Sequence, residues 1–123
     1  MLLTDERVEE LLSAFARVRL LVVGDAFLDE YLYGDALRLS PEAPVPVVQI
    51  DDAWKVLGGA GNVVRNIVAL GGDCEFVGVV GDDETGDAVV SRLSDLGIDT
   101  QGTVRVAGRP TTHKTRLVAR RQQ

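Results

Sequence analysis

The tightest constraint on this chain is a pair of short, wholly apolar runs, each leading into a glycine and an aspartate. Leu20–Val23 runs into Gly24-Asp25, and Phe76–Val80 into Gly81-Asp82-Asp83. A continuous apolar run of this length is the pattern of a strand buried on both faces, as in a parallel sheet. Between the runs, residues 60–70 place Val63, Val64, Ile67 and Leu70 on one helical face, with Gly71 where helices commonly stop. After the second run, Asp82 or Asp83 can cap a helix whose buried face is Val89, Val90, Leu93 and Leu96 and which Gly97 closes. Upstream, Val8, Leu11, Leu12 and Phe15 mark an amphipathic helix over 5–17, with Asp5 and Glu6 at the positive end of its dipole. Alternating strand and helix predict an α/β fold, a parallel sheet flanked by helices. Ligands bind beyond the carboxyl ends of such strands. That singles out Gly24-Asp25, with Asp29 following, and Gly81-Asp82-Asp83.

Two segments depart from this rhythm. In residues 31–57, Tyr31 and Tyr33 alternate with Leu32, and Pro41, Pro44 and Pro46 precede Val47, Val48 and Ile50. Proline disfavours central strands, so edge strands and extended loop are expected here. Near the end, Val104 and Val106 alternate with polar residues, Gly108-Arg109-Pro110 reads as a turn, and Thr111–Ala119 alternates again. The pair reads as a hairpin.

Composition sets outer bounds. The 123 residues are 46% hydrophobic and 26% charged, values of an ordinary globular domain. The net charge of −6 argues against a nucleic-acid partner gripped through its phosphates. No apolar run approaches the roughly 18 residues of a membrane helix, so no membrane partner is expected. The acids at Asp5, Glu6, Glu9 and Glu10 are unlike a secretory signal, and the lone Cys74 fits a reducing cytoplasm. One Cys and one His exclude a Cys/His zinc site.

Several constellations could carry chemistry. Gly58-Gly59-Ala60-Gly61-Asn62 opens the second helix. Glycines let a ligand approach the backbone, helix N-terminal amides bind anions or hydroxyl oxygens, and an Asn both donates and accepts. The same glycines also suit a tight turn needing positive φ. Gly59-Ala60-Gly61-Asn62-Val63-Val64 ends in Val and follows a long insertion, so it is not a dinucleotide fingerprint, and no P-loop sequence occurs. Asp25 and Asp29 follow the first strand, where carboxylates accept hydrogen bonds from sugar hydroxyls or simply cap and solvate a loop. Asp82-Asp83-Glu84 reads first as a helix start. Lys114, Arg116, Arg120 and Arg121 form either a solvated basic face or a place to meet a phosphate. His113 and Cys74 read as packed or surface residues.

Together these residues resemble the ribokinase-like, or PfkB, family of sugar kinases. The family's first signature is a Gly-Gly pair, an Asn shortly after, and glycines at fixed distances, here Gly58, Gly59, Asn62, Gly71 and Gly81. The stretches Val22–Tyr31, Arg38–Val47 and Pro110–Arg116, and the ending Arg120–Gln123, are most similar to the D-glycero-β-D-manno-heptose-7-phosphate kinases. The likeness runs from about residue 19 to the last. Those enzymes make the 1,7-bisphosphate on the route to ADP-heptose for lipopolysaccharide core, and are often fused to an adenylyltransferase.

The resemblance implies a ribokinase-like parallel sheet with a small β lid, the lid segments being about 31–57 and 101–119. It implies ATP and Mg²⁺ for the complete enzyme, a sugar phosphate substrate and a homodimer formed through the lid. It assigns Asp29, Asn62, Gly58 and Gly59 to the sugar hydroxyls, with Asp25 a neighbouring candidate. The family's catalytic base is an Asp in a Gly-Ala-Gly-Asp motif, and no such motif occurs in 1–123. The chain is therefore expected to be the N-terminal part of the kinase domain, with sugar-side residues and without the catalytic ones, and to be inactive alone. The alternatives are another PfkB kinase, acting on ribose, fructose or a nucleoside, and a non-catalytic sugar-phosphate-binding remnant.

Overall fold

A computed structural model describes residues 3–120, and side chains through residue 119. Helix α1 (Asp5–Phe15) leads to strand β1 (Arg19–Val23). Two long strands follow, β2 (Ala26–Leu39) and β3 (Pro46–Gly59), then helix α2 (Ala60–Ala69), β4 (Asp73–Gly81), helix α3 (Glu84–Asp95), β5 (Thr103–Val106) and β6 (His113–Arg120). Helices α1 and α3 start where side-chain oxygens are available for unpaired amides. Thr4 Oγ1 accepts from Arg7 N–H ahead of α1, and Asp83 Oδ1 accepts from Gly86 N–H ahead of α3.

The strands form two sheets. One is parallel, in the order β1-β4-β5, with Leu20 opposite Cys74 and Val79 opposite Val104. The other has the order β3-β2-β6, with β3 antiparallel and β6 parallel to β2. A single core joins them. Leu28 and Leu57 from the second sheet, Phe76 and Val80 from β4, Val64 from α2, and Val89 and Leu93 from α3 are all buried in it. The alternating apolar runs predicted a parallel sheet with packed helices, and that is what forms.

Three local expectations are corrected. Thr103–Val106 and His113–Arg120 are not a hairpin: β5 extends the parallel sheet beside β4, and β6 crosses to pair with β2. The turn at Gly108 redirects the chain from one sheet to the other, because the backbone of Thr111 is held at the end of β4. Of residues 101–119, those from His113 onward lie in the second sheet. Residues 31–57, expected as edge strands and loop, contain most of two 14-residue strands, and β2 is central. The prolines sit in the Ser40–Val45 turn and at the first position of β3, so none removes an interior ladder bond.

Finally, β1 is not buried on both faces. Leu21 and Val23 are 61% and 69% exposed. They share a face with Val77, Val79, Val104 and Val106 through the parallel register. Helices α2 and α3 pack on the other face, and no element among the described residues covers this aliphatic row.

Phe76 is 1% exposed at the centre of the shared core. Phe76→Ala is expected to lower unfolding free energy by about 3–5 kcal/mol, read by urea denaturation. A second expectation comes from the open aliphatic row, since uncovered apolar surface drives association. Sedimentation velocity on the purified chain should show concentration-dependent association that Val23→Lys reduces. A clean monomer with a sharp thermal transition would count against it.

Candidate functional site

The site forms where β1 ends and the chain turns into the second sheet. Gly24 N–H donates to the Val77 carbonyl at 3.0 Å, and the Asp25 carbonyl accepts from Ala60 N–H at 2.9 Å. The end of β1, the start of β2 and the first turn of α2 are thereby fixed together. Gly59 stands between β3 and α2 with φ at +57°, and a Cβ there would strike the Asp25 carbonyl and the Phe27 ring. Only glycine serves both demands. At Gly58 the backbone is ordinary, but a Cβ would occupy the space of the Phe27 ring and Asp29 Oδ2. The Asp29 carboxylate therefore lies directly against the Gly58 backbone.

Asp25, Asp29, Gly58 and Gly59 are thus brought together around Phe27. Asn62 is placed differently. It lies in the first turn of α2, half-buried, and its Oδ1 accepts from Arg65 Nη2 at 2.9 Å along the helix surface.

Side chains the sequence did not mark as partners complete the cluster. Arg116 Nη1 donates to Asp29 Oδ1 at 2.5 Å, and the Asp29 side chain is only 14% exposed. The same guanidinium lies 5.0 Å from the Tyr31 ring centre. Arg109 Nη2 is 3.4 Å from Asp25 Oδ1, and Lys114 Nζ is 5.5 Å from the centre of the Phe27 ring. Trp54, across from Tyr31, adds an aromatic platform, with ring centres 5.6 Å apart. The period-two spacing of Phe27, Asp29, Tyr31 and Tyr33 is the signal for this shared face. The arginine partners are far away in sequence and leave no such signal. Arg120's side chain and Arg121, part of the expected basic group, lie outside the described residues.

The opposite face of β2 carries Glu30, with Lys55 Nζ at 3.3 Å, His113 Nε2 at 3.1 Å and Thr115 Oγ1 at 3.2 Å. Burial pushes the Glu30 carboxyl up. Hydrogen bonds from Lys55 and Thr115, with the charges of Lys55 and His113, outweigh it and hold the group below the usual carboxylate range. The buried Cys74 thiol is pushed up by burial, and by the charge of Asp73, so it is a poor nucleophile.

Asp83 does more than cap a helix. Its Oδ1 accepts from Gly86 N–H and its Oδ2 from Thr111 N–H, both at 2.7 Å, while Thr111 Oγ1 accepts from Gly81 N–H at 2.7 Å. These bonds clasp the segment that crosses between the sheets. The backbone hydrogen bonds from Thr111 and Gly86 hold the Asp83 carboxyl below its ordinary range.

No group of three or more His, Cys, Asp and Glu among the described residues is arranged to hold a metal ion. Asp25 and Asp29 are each engaged by an arginine. No helix among the described residues is long and apolar enough to cross a membrane.

Residues 18–123 match the pfkB family of carbohydrate kinases. The chain belongs to that family. Over 111 residues it is 48% identical to the bifunctional protein HldE of Desulfatibacillum aliphaticivorans, covering 90% of this chain and 23% of that one. Over 121 residues it is 46% identical to HldE of Rhodospirillum rubrum, covering 93% and 23%. This PfkB chain thus spans about a quarter of the length of the curated relatives it matches. Among solved structures it is similar to a fructokinase from Xylella fastidiosa with bound ATP, at 25% identity and a TM-score of 0.62, over 81% of this chain and 29% of that one. It is likewise similar to a ribokinase from Thermotoga maritima, at 26% identity and a TM-score of 0.57, over 83% and 32%. The parallel sheet flanked by helices matches these ribokinase-like neighbours.

The Asp83 clasp carries a pH prediction. Its folded pKa is depressed, so its stabilisation is present above the unfolded value of about 3.9 and is lost as pH falls through the folded value. Asp83→Asn removes the charge that strengthens both bonds. It should lower the melting temperature by several degrees at neutral pH, and the gap to the parent should shrink below about pH 4. Thermal denaturation at stepped pH checks this.

Proposed function

We propose that this chain supplies the sugar-binding portion of an ATP-dependent kinase that phosphorylates D-glycero-β-D-manno-heptose 7-phosphate at O1. The observation that carries the reading is the Asp29 carboxylate held against the Gly58 backbone, with Asp25 anchored beside Gly59 through its carbonyl. Ionised carboxylates accept hydrogen bonds from several hydroxyls, and a backbone without Cβ lets a sugar ring approach. The flanking Tyr31 and Trp54 rings offer apolar faces to the ring's C–H surface. The choice of heptose rests on the resemblance of Val22–Tyr31, Arg38–Val47 and Pro110–Arg116 to the heptose 7-phosphate kinases. HldE relatives at 48% and 46% identity agree with it.

Within this reading, Asp29 and Asp25 orient the sugar, with Gly58 and Gly59 as the floor and Asn62 at the helix start as a further contact. Asn62 would have to exchange Arg65 for the ligand. The second sheet acts as a lid, and a lid keeps water from competing for the phosphoryl group. ATP supplies that group. The described residues do not assemble a group of three or more His, Cys, Asp and Glu that would hold Mg²⁺. The sequence holds no Gly-Ala-Gly-Asp, so the residue that would deprotonate O1 is not supplied by this chain. Pairing of two lids into a homodimer is consistent with the exposed Trp54 and Val118. The lone buried Cys74 suits a cytoplasmic setting.

The purified chain is expected to bind heptose 7-phosphate by calorimetry and to show no ATP-dependent turnover. Asp29→Asn should weaken that binding about 10-fold or more, the effect of losing a charge-assisted hydrogen bond. Clear ATP- and heptose-dependent turnover, or tighter binding of ribose or fructose, would overturn the assignment.

A further inference from the structure

Where β3 meets α2 and α3, Lys55, Arg65, Arg92 and Asp95 line a cavity of about 240 Å³, together with the buried Leu57 and the half-buried Leu96. Lys55 is in register with Glu30, so this cavity lies on the side of the second sheet away from Asp29. Its three cations come from three different elements. Lys55 is matched by Glu30, 3.3 Å away. Arg65 and Arg92 have no carboxylate partner among the described residues. Each donates instead to a neutral acceptor: Arg65 Nη2 to Asn62 Oδ1 at 2.9 Å, and Arg92 Nη1 to the Ala88 carbonyl at 3.2 Å. A guanidinium has five donors, so most of them stay open on both. The exposed Asp95 lines the cavity without pairing to either arginine. Three cations thus face two acids, Glu30 and Asp95, in a chain whose net charge is −6.

Like charges on one cavity wall repel, and an anion between them relieves the repulsion. Size narrows the anion. Cavities that take whole drug-sized ligands or cofactors run from about 300 to 1,000 Å³. This one is smaller, so it suits a single anionic group and not a nucleotide. Arginine forks match the oxygens of a phosphate, with lysine adding a point charge.

Arg65 also ties the cavity to the glycine junction. Its partner Asn62 lies in the first turn of α2, just after Gly58-Gly59. Asn62 Oδ1 is a neutral acceptor, whereas bonds to phosphate oxygens are charge-assisted and roughly twice as strong. A phosphate in the cavity therefore competes with Asn62 for the same guanidinium.

We propose that Lys55, Arg65 and Arg92 form an anion site for a phosphate group, and that phosphate bound there draws Arg65 off Asn62. That the released Asn62 then serves a sugar rests on the proposed function above. The anion site and the release stand without it.

The test titrates the ¹⁵N-labelled 123-residue chain with inorganic phosphate and, separately, with glycerol 3-phosphate at constant ionic strength. Side-chain NMR follows Arg65 and Arg92 Nε and the Asn62 amide. All three should move along one saturating curve, with an affinity that falls as salt rises. The tighter probe tells whether the ligand is free phosphate or a phosphate monoester. Arg92→Gln should weaken binding about 10-fold or more, the loss of a charge-assisted contact. Asp95→Asn should tighten it by removing a repelling carboxylate, and a carboxylate at the C-terminal end of α3 does not favour the helix, so this variant folds. Arginine signals that stay in place in the parent, or that respond with the same affinity in Arg92→Gln, overturn the site. Arginine shifts with a stationary Asn62 amide overturn the release. If Asp29→Asn leaves heptose 7-phosphate binding unchanged while these shifts persist, the sugar reading fails and the anion site stands.

Discussion

One carboxylate ties the two halves of this structure together. Asp83, just past the end of β4, starts α3 with one oxygen and holds the Thr111 amide with the other. Thr111 returns a hydroxyl to Gly81. Gly81 and Gly86 allow this because a Cβ at either would press into the Thr111 segment or the Asp83 carboxylate. With Thr111 fixed, the Thr112 carbonyl reaches Leu28 N–H, and β6 starts in register with β2. Arg116 then falls within reach of Asp29. The position of a cation in the site is set from the C-terminal end of a strand in the other sheet.

The junction of β1, β2 and α2 is the second constraint, and it is steric. Gly58 and Gly59 are contacted by Phe27, Asp25 and Asp29 at distances that leave no room for a side chain. The crowding places acids, backbone and aromatic ring in one small volume. It also explains why the long second sheet is anchored at its base: Ala26, Leu28 and Leu57 enter the same core as Phe76 and Leu93. Beyond Glu30 the sheet leaves that core and depends on its own ladder. Its two faces there differ in kind, with aromatic rings and arginine on one and the Glu30–Lys55–His113 cluster on the other.

Much of the fold was legible in the chain. Helical periodicity located α2 and α3 because their apolar residues recur on one face, and the apolar runs located β1 and β4. The strand pairing of residues 101–119 was not legible. Alternation around a Gly-Pro turn is what a hairpin looks like locally, and nothing near Val106 reports that Asp83 captures the next strand. The exposure of one face of β1 is not legible either, since apolar content shows what a strand can bury, not whether something packs on each face.

The sequence by itself determined the family, the helix limits and four of the residues that gather at the junction. Glycine spacing and strand-to-helix order are local properties, and local chemistry reads them. Only the tertiary structure decided which charges meet. The Asp29–Arg116 and Asp25–Arg109 pairs join positions 87 and 84 residues apart. It also turned Asn62 toward Arg65 and placed Lys114 over the Phe27 ring. Such contacts depend on register between strands from distant parts of the chain, and a one-residue slip would send every side chain to the other face.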